Sequence, residues 1–493
     1  MSSLTLGVDV GTTMAKAALF DLADPAVPVA VAEAPSPHTS PRPGHMEADP
    51  ARVLDAVAAG IAEVMGGRPA GSVAALGISA TACGAWLVDA DGAPVRPAIL
   101  WNDGRAGEIV AGWGADGRLD EVFAIAGNVP YPGYTLPLLA WLRAHEPASL
   151  DAADAVLCPK DWLRERLTGV RGTDVSDASY IPFDLRAREW SAELARLCEV
   201  EEDAARLLPP ILSEDRTDPL LPEWAERLGL PAGLPVGLGL TDVVSATVGG
   251  GAIRPGRAVT SLGTSAVSTV VADDPVFEPA GIGIAAAAPL GRFARTMVNT
   301  SGSMTLDWAA RLVTGGDVGA LLERAGRAPA GAEGLTLVPY LSPAGVVSPF
   351  VGSRARGTLT GLRVEHGPDE VARAAVEGLA CAIADCYAAM PLPVERIDVV
   401  GGAARSDALL QSVADATGVV VRRLAGEAFG ARAVALLAAR AAGVLGDDGA
   451  LVAAVEGVRT AGEVTPRPGE LDGVRARYAA ASQATRGLWE AWE

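Results

Sequence analysis

One pattern, written twice in opposite halves of the chain, constrains the fold more than any other feature. The first copy is the apolar run Leu4-Thr5-Leu6-Gly7-Val8-Asp9-Val10, the small turn Gly11-Thr12-Thr13, and a second run from Met14 to Asp21. The second copy is Ala258-Val259-Thr260-Ser261-Leu262, the turn Gly263-Thr264-Ser265, and a run from Ala266 to Val271. Short apolar runs separated by a turn of glycine and hydroxyl residues read as β-hairpins. Two hairpins of one design predict two halves built alike. A chain of 493 residues also exceeds what one hydrophobic core usually serves, so two domains with a cleft between them are expected.

Between and after the hairpins the periodicity alternates. Short apolar runs at 73–79, 86–88 and 155–157 read as strands, and Ala/Leu/Arg-rich stretches at 53–65 and 161–168 read as helices. In the second half, a long helix is expected from Glu370 to Met390, behind Pro368-Asp369. A strand from Ile397 to Val400 then ends at Gly401-Gly402, and a helix from Ser406 to Thr417 stops at Gly418. The fold class this predicts is α/β throughout. Gly249-Gly250-Gly251 followed by Arg254-Pro255-Gly256 places the domain boundary near residue 252, dividing the chain into 1–252 and 253–493. Composition alone reads this stretch equally well as a turn-rich surface connection; the paired hairpins favour a boundary.

Hydrophobic residues at 49% and charged ones at 20% describe a globular chain with apolar material for two cores. The formal net charge of −20 repels phosphodiester backbones and anionic membrane surfaces, so neither nucleic acid nor membrane is an expected partner. No stretch offers the roughly 18 uninterrupted apolar residues of a membrane span. Met1 to Val10 lacks the basic and apolar segments of a secretory signal, which predicts a cytoplasmic location. The five cysteines, Cys83, Cys158, Cys198, Cys381 and Cys386, lack CxxC spacing and read as buried thiols. The four histidines show no metal-ligand spacing, which argues against a protein-caged metal.

The turns are also where chemistry can sit. Gly11-Thr12-Thr13 lets backbone amides approach an anion while the hydroxyls donate to phosphate oxygens. Lys16 can add a positive charge, and Asp9 can hold hydrated Mg²⁺ rather than a bare ion. A plain hairpin turn explains the first motif alone, but the second turn, Gly263-Thr264, makes a pair that can grip the terminal phosphates of ATP across a cleft. Val399-Val400-Gly401-Gly402-Ala403 ends a strand on two glycines that leave room for a ribose or flat ring, although a turn before a helix would look the same. Asp242, after Gly237-Leu238-Gly239-Leu240-Thr241, is the candidate general base for an attacking hydroxyl, with helix capping of residues 243–248 as the alternative.

Taken in order, these residues resemble the FGGY carbohydrate kinases, of the actin, hexokinase and heat-shock chaperone superfamily, along nearly the whole chain. The resemblance rests on Asp9 to Thr13, Gly44 to Pro50, Pro97 to Arg105, Pro159-Lys160-Asp161, Thr173 to Ala178, Ser261 to Ser265, and Gly357 to Leu362 with Glu370 to Glu377. Each motif is weak by itself; seven in one order are specific. The resemblance implies two actin-like (ribonuclease H-like) domains closing over MgATP and an open-chain sugar or polyol. It implies Asp242 as base, Asp9, Gly11, Thr12, Thr13 and Lys16 as the first phosphate and metal region, and Gly263 and Thr264 as the second. It also implies Gly401, Gly402, Ala403 and Asp407 as the adenosine site, and Trp101 with Asn102 at the substrate pocket.

The overall likeness is to xylulokinases, but the substrate-facing positions depart from them. Thr81-Ala82-Cys83-Gly84 stands where those enzymes commonly show a QMHG-like segment, Val243 where an Asn follows the base, and Leu138 where a lysine is frequent. Losing an imidazole and a carboxamide removes groups that bond sugar hydroxyls. Asp242-Val243, with Tyr340 to Gly345 and Ser348-Pro349-Phe350, looks more like erythritol and L-xylulose kinases. The expectation is therefore ATP-dependent phosphorylation of a primary hydroxyl of a small sugar, a ketopentose first and an erythritol or pentitol as the alternative. A nucleotide-dependent sugar sensor or chaperone-like protein is the reading from another class. A homodimer is left open, since interface residues carry no chemical label.

Overall fold

The computed structural model describes residues 4–489. Its framework is two seven-stranded sheets, one from each half of the chain. In the first, the strands run Thr217–Pro219, Pro235–Gly237, Val73–Ala80, Leu4–Val10, Met14–Asp21, Ala30–Pro35, with Leu240–Thr241 also pairing with Val73–Ala80. In the second they run Ile284–Ala287, Phe293–Asn299, Ala266–Ala272, Arg257–Leu262, Arg396–Val400, Val420–Leu424, Thr460–Val464. Both expected hairpins form and sit at the same place in their sheets. Each is antiparallel, and its first strand pairs in parallel with a later one, Leu4–Val10 with Val73–Ala80 and Arg257–Leu262 with Arg396–Val400. A parallel partner needs a crossover, and helices supply it: Pro50–Met65 in the first half and, among others, Pro368–Ala389 in the second. The architecture is the mixed α/β, two-unit actin-like fold that the sequence implies.

Local chemistry explains the helix ends. Asp49 accepts a hydrogen bond from the Ala51 amide and Pro50 takes the first turn, so the helix starts earlier than the apolar period beginning at Val53 suggests. Glu370 accepts the Gly367 amide at 2.8 Å to open the Pro368–Ala389 helix. Ser406 caps Asp407–Thr417, and Gly418 closes that helix in the left-handed region at φ 73°.

One helix crosses between the halves. Phe429–Ala441, from the second half, packs on the first sheet, and glycines permit the approach. A Cβ at Gly7 would lie 1.9 Å from the Ala431 carbonyl oxygen, and one at Gly77 would lie 2.0 Å from that of Val434. Thr5 Oγ1 donates to the Ala435 carbonyl at 2.9 Å, and buried Arg432 donates to the carbonyls of Pro25 and Gly249. The Asp242–Gly249 helix lies against the same element, with Gly249 in backbone contact with Phe429.

All five cysteines are buried and free. Cys158, Asp161 and Asp177 converge, but the Lys160 ammonium fills that place, 2.5, 2.8 and 2.9 Å from Asp161, Asp174 and Asp177. Among the described residues no helix is long and apolar enough to cross a membrane.

Candidate active site

Asp9 comes from the end of the Leu4–Val10 strand and Asp242 is the first residue of the Asp242–Gly249 helix. Both line an open cavity, with Val243, Ala246 and Thr247 on their side and Val259, Ser261, Val267 and Thr269 of the second hairpin opposite. The structure thus brings the base candidate, the metal candidate and the second hairpin to one space between the halves. Thr241 occupies the cap position of the helix, and Asp242 Oδ1 accepts the Val243 amide at 2.8 Å from inside the first turn. Asp242 thus satisfies a first-turn amide of its own helix while also lining the cavity.

Both acids are held above the usual carboxylate range. Burial pushes the Asp9 carboxyl up to about 7, and the like charge of Asp242 adds to the rise while Ser79 and Lys16 oppose it. Burial pushes Asp242 up to about 6, against hydrogen bonds from the Val243 amide, the Thr241 hydroxyl and the Ala82 backbone. A carboxylate near neutrality is matched to taking a proton from a hydroxyl. Asp9 Oδ1 is buried with no hydrogen-bond partner among the described residues, and Asp9 Oδ2 lies against Gly430, where a Cβ would come within 2.4 Å.

In each turn the first amide closes the turn itself: Gly11 N donates to the Met14 carbonyl at 2.9 Å, and Gly263 N to that of Ser265 at 3.0 Å. Thr13 and Thr264 are exposed, so their hydroxyls remain available to a ligand. The Thr12 hydroxyl accepts the Trp101 indole N–H at 2.9 Å. Lys16 stands opposite Asp9 across the hairpin, but its ammonium pairs with Glu33 at 2.6 Å. Gly401, at φ 102°, lies so close to the Leu262 carbonyl that a Cβ would come within 2.4 Å, which sets the glycine shelf beside the strand feeding the second turn. Gly402 and Ala403 begin a short 3₁₀ turn there, and nothing lies within 4 Å of a Cβ on Gly402. Asp407 is set apart, exposed and paired with Arg423 at 2.7 Å.

Thr81 and Trp101, with Gly11 and Thr12, line a second, narrow pocket. Asn102 is exposed and outside that lining. Ala82 meets Asp242 through its backbone, and Cys83 adopts a left-handed φ of 66° that turns the segment toward Gly84 and the Gly133 carbonyl. Leu138 is fully buried in the Thr135–His145 helix.

Three neighbours of the site were not singled out by sequence reasoning. Gly430 lies hundreds of residues from Asp9, and only the packing of its helix shows the contact. Tyr134 and Tyr180 pack with Cys83, and an aromatic run over Tyr131 and Tyr134 was the one available hint.

Residues 4–249 match the N-terminal domain of the FGGY family of carbohydrate kinases, and residues 258–442 match its C-terminal domain. The xylulose kinase of Escherichia coli K12 is 34% identical over 420 residues, covering 84% of each chain. The erythritol kinase of Brucella abortus is 31% identical over 463 residues, covering 89% of this chain and 88% of its own. The crystal structure of xylulose kinase from Rhodospirillum rubrum superposes with a TM-score of 0.88 at 28% identity, over 99% of this chain and all of that one.

Proposed function

Since the chain belongs to the FGGY family of carbohydrate kinases and phosphorylates a sugar with ATP, we propose that the acceptor is a primary hydroxyl of a ketopentose, xylulose first, and that Asp242 takes its proton. The observation that carries this reading is a carboxylate held near neutrality by burial, in a cavity whose facing wall is the second hairpin. Phosphoryl transfer asks a protein mainly for positioning and charge neutralisation. Asp242 accepts the hydroxyl proton at a carboxylate oxygen as the sugar oxygen attacks the terminal phosphorus, whose bond to the β–γ bridging oxygen breaks so that ADP leaves with the electron pair. Thr12, Thr13 and Thr264 orient the phosphate oxygens, and the Gly401-Gly402 shelf, with Ala403, receives the adenosine.

Asp9 suits a hydrated divalent cation: its Oδ1 is a buried carboxylate oxygen without a hydrogen-bond partner among the described residues. Asp9 would hold such a cation, Mg²⁺ in our reading, through water, and the ion would supply charge neutralisation to the phosphates. Its raised pKa makes Asp9 a ligand that gains its full charge only when a cation or neutral pH favours ionisation. Lys16 assists by charge across the hairpin, from its pairing with Glu33. Asp407 contributes at most the start of its helix, since Arg423 already engages it.

A four-carbon polyol is the second acceptor reading, favoured by Val243 beside the base and by the loss of polar side chains at Ala82 and Cys83. It is supported by the 31% identity to an erythritol kinase. We also take 1–252 and 253–493 as the two kinase domains, each holding one sheet, with Phe429–Ala441 reaching back onto the first. Five unpaired buried thiols suit the reducing, ATP-rich cytoplasm, where we place the enzyme. A coupled ADP-release screen over pentuloses, tetritols, pentitols and hexuloses tests the acceptor. Sugar-stimulated ADP release that Asp242→Asn abolishes supports the proposal; release indifferent to every sugar sinks it.

A further inference from the structure

Beside the base, where Val243 offers no polar side chain, one polar atom is buried with nothing to bond. Tyr180 is 4% exposed, and its hydroxyl has no hydrogen-bond partner among the described residues. Its ring packs edge-to-face on Tyr134, with centroids 5.9 Å apart, and Tyr134 packs on Tyr131 at 5.5 Å. Tyr131 is 43% exposed, so the three rings run from the surface inward. Tyr134 and Tyr180 share one apolar cluster with Cys83, Leu240 and Val244.

The surroundings of these rings tie them to the site. Gly133 is in backbone contact with Trp101, the Gly84 amide donates to the Gly133 carbonyl, and Thr135 Oγ1 donates to the Gly84 carbonyl at 2.7 Å. The turn that carries Tyr180 follows Val175–Ala178, whose Ser176 hydroxyl accepts the Thr241 amide at 3.0 Å, next to the base. Burial raises the phenol well above its usual range, and Asp242, Cys83 and Asp177 all lie near enough to add to that rise. The group is therefore a neutral phenol at any working pH, able to donate one hydrogen bond and accept another.

We propose that Tyr180 is a specificity-determining residue whose hydroxyl bonds the substrate oxygen next to the hydroxyl being phosphorylated, in place of the polar side chains absent at Cys83 and Val243. The inference rests on the small-sugar acceptor reading above. A buried hydroxyl without a partner is destabilising, whereas the same hydroxyl bonded to a ligand discriminates against molecules that cannot bond it. The proposal thus makes opposite demands on the free and the loaded enzyme.

The test is Tyr180→Phe in the full chain, an isosteric change that leaves the ring stack in place. Steady-state kinetics on D-xylulose and on erythritol are run beside wild type, with melting temperatures measured with and without each compound. Loss of the substrate bond lowers kcat/KM roughly 10- to 100-fold, mostly through KM. The free variant melts at or above the wild-type temperature, and the upward shift produced by the accepted compound shrinks. An unchanged kcat/KM overturns the inference, and so does a lower melting temperature of the free variant, which would mean that the hydroxyl is already bonded in the empty enzyme. Wild type idle on both compounds overturns the acceptor reading and the role of Tyr180 with it; active wild type with an unimpaired variant overturns the role of Tyr180 alone.

Discussion

Gly430→Ala perturbs the site with one methyl group, and the structure sets its consequences. The new Cβ would lie 2.4 Å from Asp9 Oδ2 and 2.7 Å from its carboxyl carbon, where ordinary contact begins at 3.4 Å. Something must retreat, and the helix cannot: Gly7, Gly77 and Gly249 hold its backbone within Cβ-excluding distance, and Arg432 bonds the Pro25 and Gly249 carbonyls. The Asp9 carboxylate moves instead, by about 1 Å, and displacement on that scale costs on the order of 100-fold in rate. Stability responds differently, because Ala is favoured over Gly inside a helix by about 1 kcal/mol while overpacking costs about 1–3 kcal/mol. The variant is expected to stay folded, lose about 100-fold in kcat/KM, and need more Mg²⁺ for half-maximal rate. Gly107→Ala, at a helix glycine with nothing within 4 Å, is the control and should be silent in activity. In an Asp9→Ala background the stability cost of Gly430→Ala should vanish. Wild-type activity and unchanged metal dependence in Gly430→Ala would refute the argument that this glycine seats Asp9.

Other expectations follow from the same geometry. Asp242→Asn removes the proton acceptor and should lower kcat by roughly 10²–10⁴-fold while ATP still protects the chain against heat. Asp9 and Asp242 have folded-state pKa values raised from 3.8 to about 7 and about 6, so the folded chain holds protons that the unfolded chain has released. Stability should therefore fall as pH rises from about 4 to about 7 and level off above, and Asp9→Asn should flatten the decline in melting temperature. Activity should run the other way, with kcat/KM dropping as pH falls through about 6 and Asp242 is protonated. Lys160→Met leaves three buried carboxyls without their ammonium and should cost about 3–5 kcal/mol in urea unfolding. Trp101→Phe removes the indole bond to Thr12 and should raise the sugar KM with little change in melting temperature.

The elements were legible where the physics is local. Both hairpins and the helices behind Pro368 and Ser406 announce themselves through period, caps and stops, and all form close to the expected bounds. Asp242 was legible as a carboxylate after a glycine-rich strand. Its acidity was not, because that depends on burial contributed by other elements. Lys16 could be read as a cation near the turn, but its pairing with Glu33 depends on strand register. The contact of Gly430 with Asp9 and the placement of Tyr180 were invisible for the same reason: both arise where elements remote in sequence pack, and neither has a periodic or motif signature.

The return of Phe429–Ala441 to the first sheet has a consequence for the making of the protein. During synthesis the strands Leu4–Val10 and Val73–Ala80 emerge first, and the helix that covers their glycine-lined face, Phe429–Ala441, emerges long after them. At about 5–20 residues per second the interval is on the order of tens of seconds, during which that face has no native cover. A ribosome that stalls before the helix leaves a half-protein with an open apolar surface rather than a finished domain. Losing residues 429–441 would therefore damage the sheet built from the first residues of the chain.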